Sequence, residues 1–439
     1  MRHIKLFFCC LLFATSVVCV SAQNGLNAPY SQYGIGMGRM PYNMPFAASL
    51  GGVAYTRAGN NFVNPFNPAS YAAIEKESFV FDMGFVFDMS TLTDPSASQY
   101  DADGNLGYLA IAFPLTKWWK TAVGMLPMTD VNYLSSKVDA LPFGSVKTRY
   151  EGNGGVSRLF WGHAFNLSQR LSLGFNANFL YGFIDRGITY DFSTSDSATF
   201  YMDSRRQKSS TLKNFLFDLG VQYRHPLPHN YELGLGLSAV TPQTLRVWDK
   251  ALVYTFVTYS AMEYMRDTIF PAPGEDSEYE SSMEQPLQLG LGVSLNNNRW
   301  LVAVDASYAP WSGLKYDDRN HIFGNTAVRY GDNLRGALGF QLLGDRGATR
   351  YFRRITYSAG VHYECGKLRL QLADQTQHRL DEWGFGLGAT LPMRKGRSLL
   401  NISASYGSMG SDDLLRHNCL TIGFSVSSCE SWFVKRKYN

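Results

Sequence analysis

Past residue 22 the chain has no apolar run long enough for a membrane helix, which needs about 20 residues. Catalytic signatures are missing as well: there is no G-x-S-x-G elbow, no H-E-x-x-H and no Walker A. Cysteine is scarce. Six occur, and Cys9, Cys10 and Cys19 fall in the first 22 residues. Cys365, Cys419 and Cys429 remain, an odd and scattered set without metal-ligand spacing. Cys419 and Cys429 share one extended segment, roughly 33 Å apart at ~3.3 Å per residue, too far for a disulfide. Charge is low at 17% of residues, and the net value of +4 falls to +2 once Arg2 and Lys5 are removed with the leader peptide. That excludes nucleic acid as an electrostatic partner. Gly34, Gly36 and Gly38 have the composition of a phosphate loop but no strand before them. No metal, cofactor or catalytic residue is expected.

What the chain does have begins with an export signal. Arg2, His3 and Lys5 form a positive start, Leu6–Val20 is apolar, and Val20-Ser21-Ala22 supplies small residues for cleavage after Ala22. Lipidation at Cys19 is the alternative, but Val18 fits it poorly. Aromatic residues reach 14%, with 26 Tyr, 29 Phe and 41 Gly. Such a composition suits a barrel with aromatic girdles at both membrane interfaces.

The decisive feature is alternation. Leu171, Leu173, Phe175, Ala177, Phe179, Tyr181 and Phe183 share one face of a strand, while Ser172, Gly174, Asn176, Asn178 and Gly182 share the other. Phe79, Phe81, Met83, Phe85 and Phe87 likewise oppose Asp82, Gly84 and Asp88. The pattern recurs to Leu420, Ile422, Phe424 and Val426, giving about fourteen strands. Short connections near 116–119, 166–169, 226–230, 296–298 and 392–397 alternate with long ones near 94–105, 191–210, 246–284 and 311–325. Soluble sandwiches also alternate, but short inner turns with long outer loops are the membrane-barrel habit. Both termini are then periplasmic. Arginine at lipid-facing Leu289 or Phe217 is expected to be costly, and at Gln288 or Asn214 mild. The acidic residues Glu275, Asp276, Glu278 and Glu280 read as a solvated loop. His362 and Ser358 fall on the polar face of the eleventh strand, where a histidine paired with a carboxylate such as Glu364 is the expected arrangement rather than catalysis. His163 is treated in the same way.

Residues 23–76 do not alternate. Rich in Gly, Asn and Pro, they cannot face lipid, which leaves backbone groups unpaired. A segment inside the lumen or in the periplasm is expected, with Asn67, Pro68 and Ala69 fixing its entry to the first strand. Pro127 lies well inside the third strand, between Val123 and Val131. Proline removes a ladder bond, so it marks a local break there, and Met125, Leu126 and Met128 supply a soft apolar lining. A plain bulge that tightens the bend is the alternative.

Three features together resemble the FadL family of outer-membrane channels for hydrophobic compounds. They are Ala47-Ala48-Ser49-Leu50-Gly51-Gly52-Val53-Ala54 through Phe66-Asn67-Pro68-Ala69, the fourteen strands, and Gly124-Met125-Leu126-Pro127. Tyr30-Ser31-Gln32-Tyr33-Gly34-Ile35-Gly36 and Trp432-Phe433-Val434-Lys435-Arg436-Lys437 are similar to a divergent branch that includes non-transporting barrels, such as the shuttle of type IX secretion. The resemblance implies a signal peptide over 1–22, a lumenal hatch over 23–76 and a Gram-negative outer-membrane barrel over 77–439. It implies passive uptake of hydrophobic compounds such as long-chain fatty acids through a kink at Pro127. The alternative it implies is an adaptor barrel holding protein partners in a secretion or assembly complex. Outer-membrane lipid surrounds the barrel in either case.

Overall fold

The computed structural model describes residues 26–431, apart from 39, 95–96, 143, 195–200, 260–261, 272–275, 315, 318–327, 372–376, 394–397 and 411–413. The signal peptide and the Trp432–Lys437 motif lie outside the described residues. Fourteen antiparallel strands close into a barrel. They are β1 (Ser78–Thr93), β2 (Ser98–Pro114), β3 (Trp119–Leu141), β4 (Gly144–Asn166), β5 (Leu171–Thr194) and β6 (Asp203–Leu227). Next come β7, made of Tyr231–Val240 and Gln243–Tyr259, and β8, made of Met262–Phe270, Glu278–Gln285 and Gln288–Asn296. The ring continues with β9 (Trp300–Ala309), β10 (Asn333–Leu342), β11 (Thr356–Cys365), β12 (Glu382–Pro392), β13 (Ser398–Met409) and β14 (Arg416–Ser431). β14 pairs with β1 from Ser78↔Ser431 to Thr93↔Arg416, which leaves the ring no free end.

The apolar face of each strand points outward. Phe81, Phe85, Phe175, Phe217, Leu289, Leu338, Phe385 and Phe424 are exposed, whereas Asp82, Asp88, Asn176, Asn178, Asp218, Asp305 and Ser425 are buried. In water this is the wrong way round; in lipid it is the only stable way. Trp118, Trp119, Phe165 and Phe175 stack at the short-turn end, where their rings suit the interface.

The wall is uneven. β9, β10 and β11 have 10 residues each, about the length that spans a bilayer. β3 to β6 have 23, 23, 24 and 25. This corrects the long loops expected at 94–105, 191–210 and 246–284, which are mostly strand. Over Thr244–Ala251 the pattern is inverted. Leu245, Val247, Asp249 and Ala251 are buried inside, while Thr244, Arg246, Trp248 and Lys250 face out. Beyond the bilayer the outer face meets water, so alternation with polar residues outside is what a strand there requires. An expectation tuned to apolar-out alternation takes such a stretch for loop. The span 311–325 falls largely outside the described residues.

Asn214 is also corrected as a tolerant position. It is buried, and its amide donates to Arg246 O at 2.8 Å and accepts from Arg246 N at 2.9 Å, stitching β6 to β7. Gln288 remains the proper lumenal control, since it borders a cavity. Leu289→Arg should cost about 2–4 kcal/mol near the midplane. Gln288→Arg should shift stability far less. The temperature at which the folded, fast-migrating gel band disappears measures both; equal sensitivity at the two positions would contradict the lipid-facing assignment.

Candidate functional site: a seam between β2 and β3

β2 and β3 pair only from Leu109↔Met125 to Pro114↔Lys120, six residue pairs. Beyond them the strands part. β2 continues along β1 to Ser98↔Thr93, and β3 continues along β4 to Leu141↔Gly144. Both strands are irregular where they diverge. Pro127 brings no N–H, and the β3–β4 register slips between Pro127 and Thr129, leaving Met128 as the extra residue. On β2 the slip leaves out Gly107, between Leu106 and Tyr108. The four residues of the kink are divided. Leu126 is buried in the lumen with Tyr71 and Phe160, and Met128 packs against the lumenal cluster of Ile35 and Val131. Met125 Sδ accepts from Tyr181 OH at 2.8 Å.

Of the N-terminal segment 26–76, here the leader, residues 27–38 and 40–43 fill the seam. Met37 and Gly38 pair antiparallel with Asp130 and Thr129. Ala28 N donates to Asn132 O at 2.7 Å, and Asn132 N donates to Ser31 Oγ at 3.1 Å. Asn27 bridges the two strands at the top: its N–H donates to Asp101 Oδ2 of β2 at 2.7 Å, and its side chain accepts from Leu134 N of β3 at 3.1 Å. Asn43 bridges them lower down, its Nδ2 donating to Pro127 O at 3.0 Å and Gly107 O at 3.3 Å. The carbonyls released by the two bulges therefore share one amide.

The rest of the leader is bonded to inward-facing groups around the ring. Asp305 of β9 accepts from Ala54 N and Tyr55 N at 2.6 and 2.8 Å. Arg335 of β10 donates to Gly51 O at 2.9 Å and Tyr42 OH at 3.1 Å. Asp82 of β1 accepts from Val63 N at 3.0 Å. Asn67 caps the 3-10 turn Pro68–Ala73, and its Nδ2 reaches Tyr55 O, Val221 O and Leu237 O at 2.8, 3.2 and 3.3 Å. It thus sits against β6 and β7. Ala69 N donates to Asn67 Oδ1. Leader backbone also lies directly on Gly174, Gly236, Gly360 and Gly386, where any Cβ would strike it. Arg57 is half-buried in the leader; desolvation lowers its pKa to about 10, nearby Arg224 adds to the drop and Asp305 opposes it.

Above the leader, Leu180, Ile184, Leu212, Leu216, Leu245, Val247 and Met283 form a buried apolar cluster that faces inward. Sequence alternation alone misses it, although Leu180 and Ile184 break the polar face of β5. Beside it is a cavity of about 270 Å³, bordered by Met128, Arg158, Asp218, Arg335, Glu364 and Glu382. Arg158 and Asp218 form a buried ion pair at 3.1 Å, and Lys208 and Asp249 another at 3.1 Å. Histidine chemistry does not assemble. His362 Nε2 lies 3.6 Å from Glu382, not Glu364, whose carboxylate accepts from Asn333; Ser358 accepts from Gln341 at 2.9 Å. His163 Nδ1 accepts from the Trp119 indole at 3.1 Å. Among the described residues no three His, Cys, Asp or Glu are grouped to hold a metal.

The BamG family model matches residues 2–439. The chain belongs to the BamG family. No curated protein matches its sequence. Among solved structures it is similar in fold to the toluene transporter TbuX of Ralstonia pickettii, with 13% identity, a TM-score of 0.54, and coverage of 88% of this chain and 97% of that one. A FadL homologue of Pseudomonas aeruginosa gives 13%, 0.53, 88% and 98%. The CymD monoaromatic hydrocarbon channel gives 16%, 0.52, 88% and 97%. At these identities the likeness is one of fold: this BamG member has a barrel of the same fold as those channels.

Substitutions at two positions test the leader's seat. Asn67→Ala should cost about 1–3 kcal/mol by withdrawing the donor from buried carbonyls, and Asn67→Asp more, since it turns a charge toward them. Gly386→Val should expel the leader from β12. Conductance in planar bilayers should then rise while the heat-modifiable band persists; unchanged conductance would mean the leader does not block the lumen.

Proposed function

We propose that this BamG-family barrel is a partner-holding scaffold of the outer membrane, working within a secretion or assembly complex. Its short turns face the periplasm, residues 26–76 act as a hatch, and the tall wall β3–β8 stands outside the cell. The observation that carries the reading is the crest of that wall. Three adjacent strands bring together Tyr201, Met202, Tyr259, Met262, Tyr264 and Met265, all exposed, through the pairs Asp203↔Phe256, Tyr259↔Met262 and Met265↔Phe256. Tyr259 is 72% exposed. Aromatic and methionine side chains clustered in water mark a docking surface rather than a solvated loop. The filled lumen supports the same reading. Its apolar side chains pack on one another as a core, and the 270 Å³ beside them sets the charges of Arg158, Asp218, Arg335, Glu364 and Glu382 among apolar residues such as Met40, Phe66 and Trp311, so a long alkyl chain there would meet buried charge.

A second reading, diffusion of hydrophobic compounds such as long-chain fatty acids, is favoured by the seam. Lateral exit through a wall gap next to Pro127 needs no catalytic residue and no nucleotide, and the channels of like fold carry hydrocarbons.

Purification of the tagged protein from native membrane in mild detergent separates the two. The scaffold reading expects a stoichiometric protein partner that is lost on Tyr259→Asp with Met262→Asp while the barrel stays folded. Bound fatty acid without a partner in native mass spectrometry, with uptake of labelled fatty acid that falls on Pro127→Val, would establish transport instead.

A further inference from the structure

The seam has a property that neither docking at the crest nor diffusion requires. β3 presents the backbone groups of Thr129–Leu134 along an edge that β2 does not cover. The leader covers it imperfectly. Only Met37 and Gly38 pair with it as strand; beyond them one backbone bond, from Ala28 N to Asn132 O, is joined by the side chains of Asn27 and Ser31 in place of a regular ladder. The covering stretch is a poor strand by composition, with Gly34 at φ +59° and Gly36 at φ +99°. Its ends lie against open space. Met37 and Gly38 border two cavities at once, of about 270 and 120 Å³, and Asn27 borders the open mouth of about 1110 Å³ next to Asn132–Ser136. The strip therefore has room to withdraw, and the edge beneath it is reachable from the mouth.

We infer that the β3 edge over Thr129–Leu134 is a strand-addition site, covered in cis by Leu26–Gly38 and taken in trans by an extended segment of a partner polypeptide. This rests on the scaffold reading and names where and how the partner is held. A true strand fits the edge better than the leader does, because backbone donors and acceptors replace the side-chain substitutes. The same edge sets the chemistry of the incoming segment. Val131 and Tyr133 point into the lumenal cluster that Ile35 also joins, so the segment is apolar on that face.

The test locks the strip with Met37→Cys and Asp130→Cys, directly paired positions, in the full-length protein. In nanodiscs, a labelled peptide copying residues 26–38 should bind the reduced protein saturably and lose at least tenfold in binding to the oxidised one. Equal binding to both forms, or binding to neither, overturns the site. In native membranes a photocrosslinking residue replaces Leu134 or, separately, Tyr264. The expected result is a partner adduct at Leu134 that the lock suppresses and reductant restores. Adducts at Tyr264 alone, or a Leu134 adduct indifferent to the lock, overturn strand addition and leave the scaffold reading standing. Absence of adducts at both positions overturns the two together. Heat-modifiable migration of each single-cysteine variant verifies that the barrel is folded.

Discussion

An irregular peptide inside a lipid-embedded barrel has nowhere to send its backbone groups except the wall. The bilayer offers no donors or acceptors, and a buried unpaired N–H or C=O costs about 1–3 kcal/mol. Much of this lumen is an answer to that demand. Asp82 and Asp305 accept leader N–H groups; Asn43, Asn67 and Arg335 donate to leader or wall carbonyls. The inward glycines let the leader's backbone come close enough for those bonds to form. The lumenal face is polar and small because it is a binding surface for the chain's own leader, not because it lines open water. Removing the leader would orphan the wall as much as the leader.

The buried charges follow the same logic. Arg158–Asp218 is held further by Asn176 Nδ2 on Asp218 at 3.3 Å, and Asp249 takes Ser210 and Ser281 hydroxyls at 2.5 and 2.6 Å besides Lys208. Ion pairs cut off from water are weak stabilisers unless such bonds complete them, and their chief effect is to fix one arrangement. Here they fix the register of neighbouring strands across β4, β5, β6 and β7.

The lipid-facing half of the fold was legible because one constraint, apolar out, acts on every strand for about ten residues. The even–odd pattern of 171–183 or 287–295 is shared with soluble sandwiches, but its recurrence over about fourteen strands pointed to lipid. The tall wall was not legible by the same rule, since the outer face of Thr244–Lys250 meets water and reverses the pattern. Of the site, Pro127 could be read, as proline inside a strand always needs an explanation. Asn27 and Asn43 could not. Each acts by bridging strands 64 to 107 residues away along the chain, a relation no local spacing carries. Leu180 and Ile184 left a trace, two large apolar residues on a face otherwise small and polar, and that trace marks where the lumen changes from leader seat to apolar core.

The seam itself follows from unequal wall heights. A stretch of sheet that rises beyond its neighbours must end in two edges, and here they are β3 and the Met262–Phe270 part of β8. The β8 edge is protected in the ordinary way. Its register slips twice, between Met265 and Asp267 and between Thr268 and Phe270, and it carries Glu263, Arg266 and Asp267, with Glu263 tied to Arg205 at 2.8 and 2.9 Å. Bulges and charges of this kind make an edge permanently unattractive. The β3 edge from Thr129 to Leu134 is less protected: its one bulge lies below it at Met128, its one charge is Asp130, and it ends on exposed Leu134. What keeps it from pairing is a separate, glycine-rich piece of chain held more by side-chain than by ladder bonds. One edge is blunted by its own sequence and the other only covered. A cover can be lifted where a blunted edge cannot be restored, so of the two edges it is β3 that is built to exchange its partner.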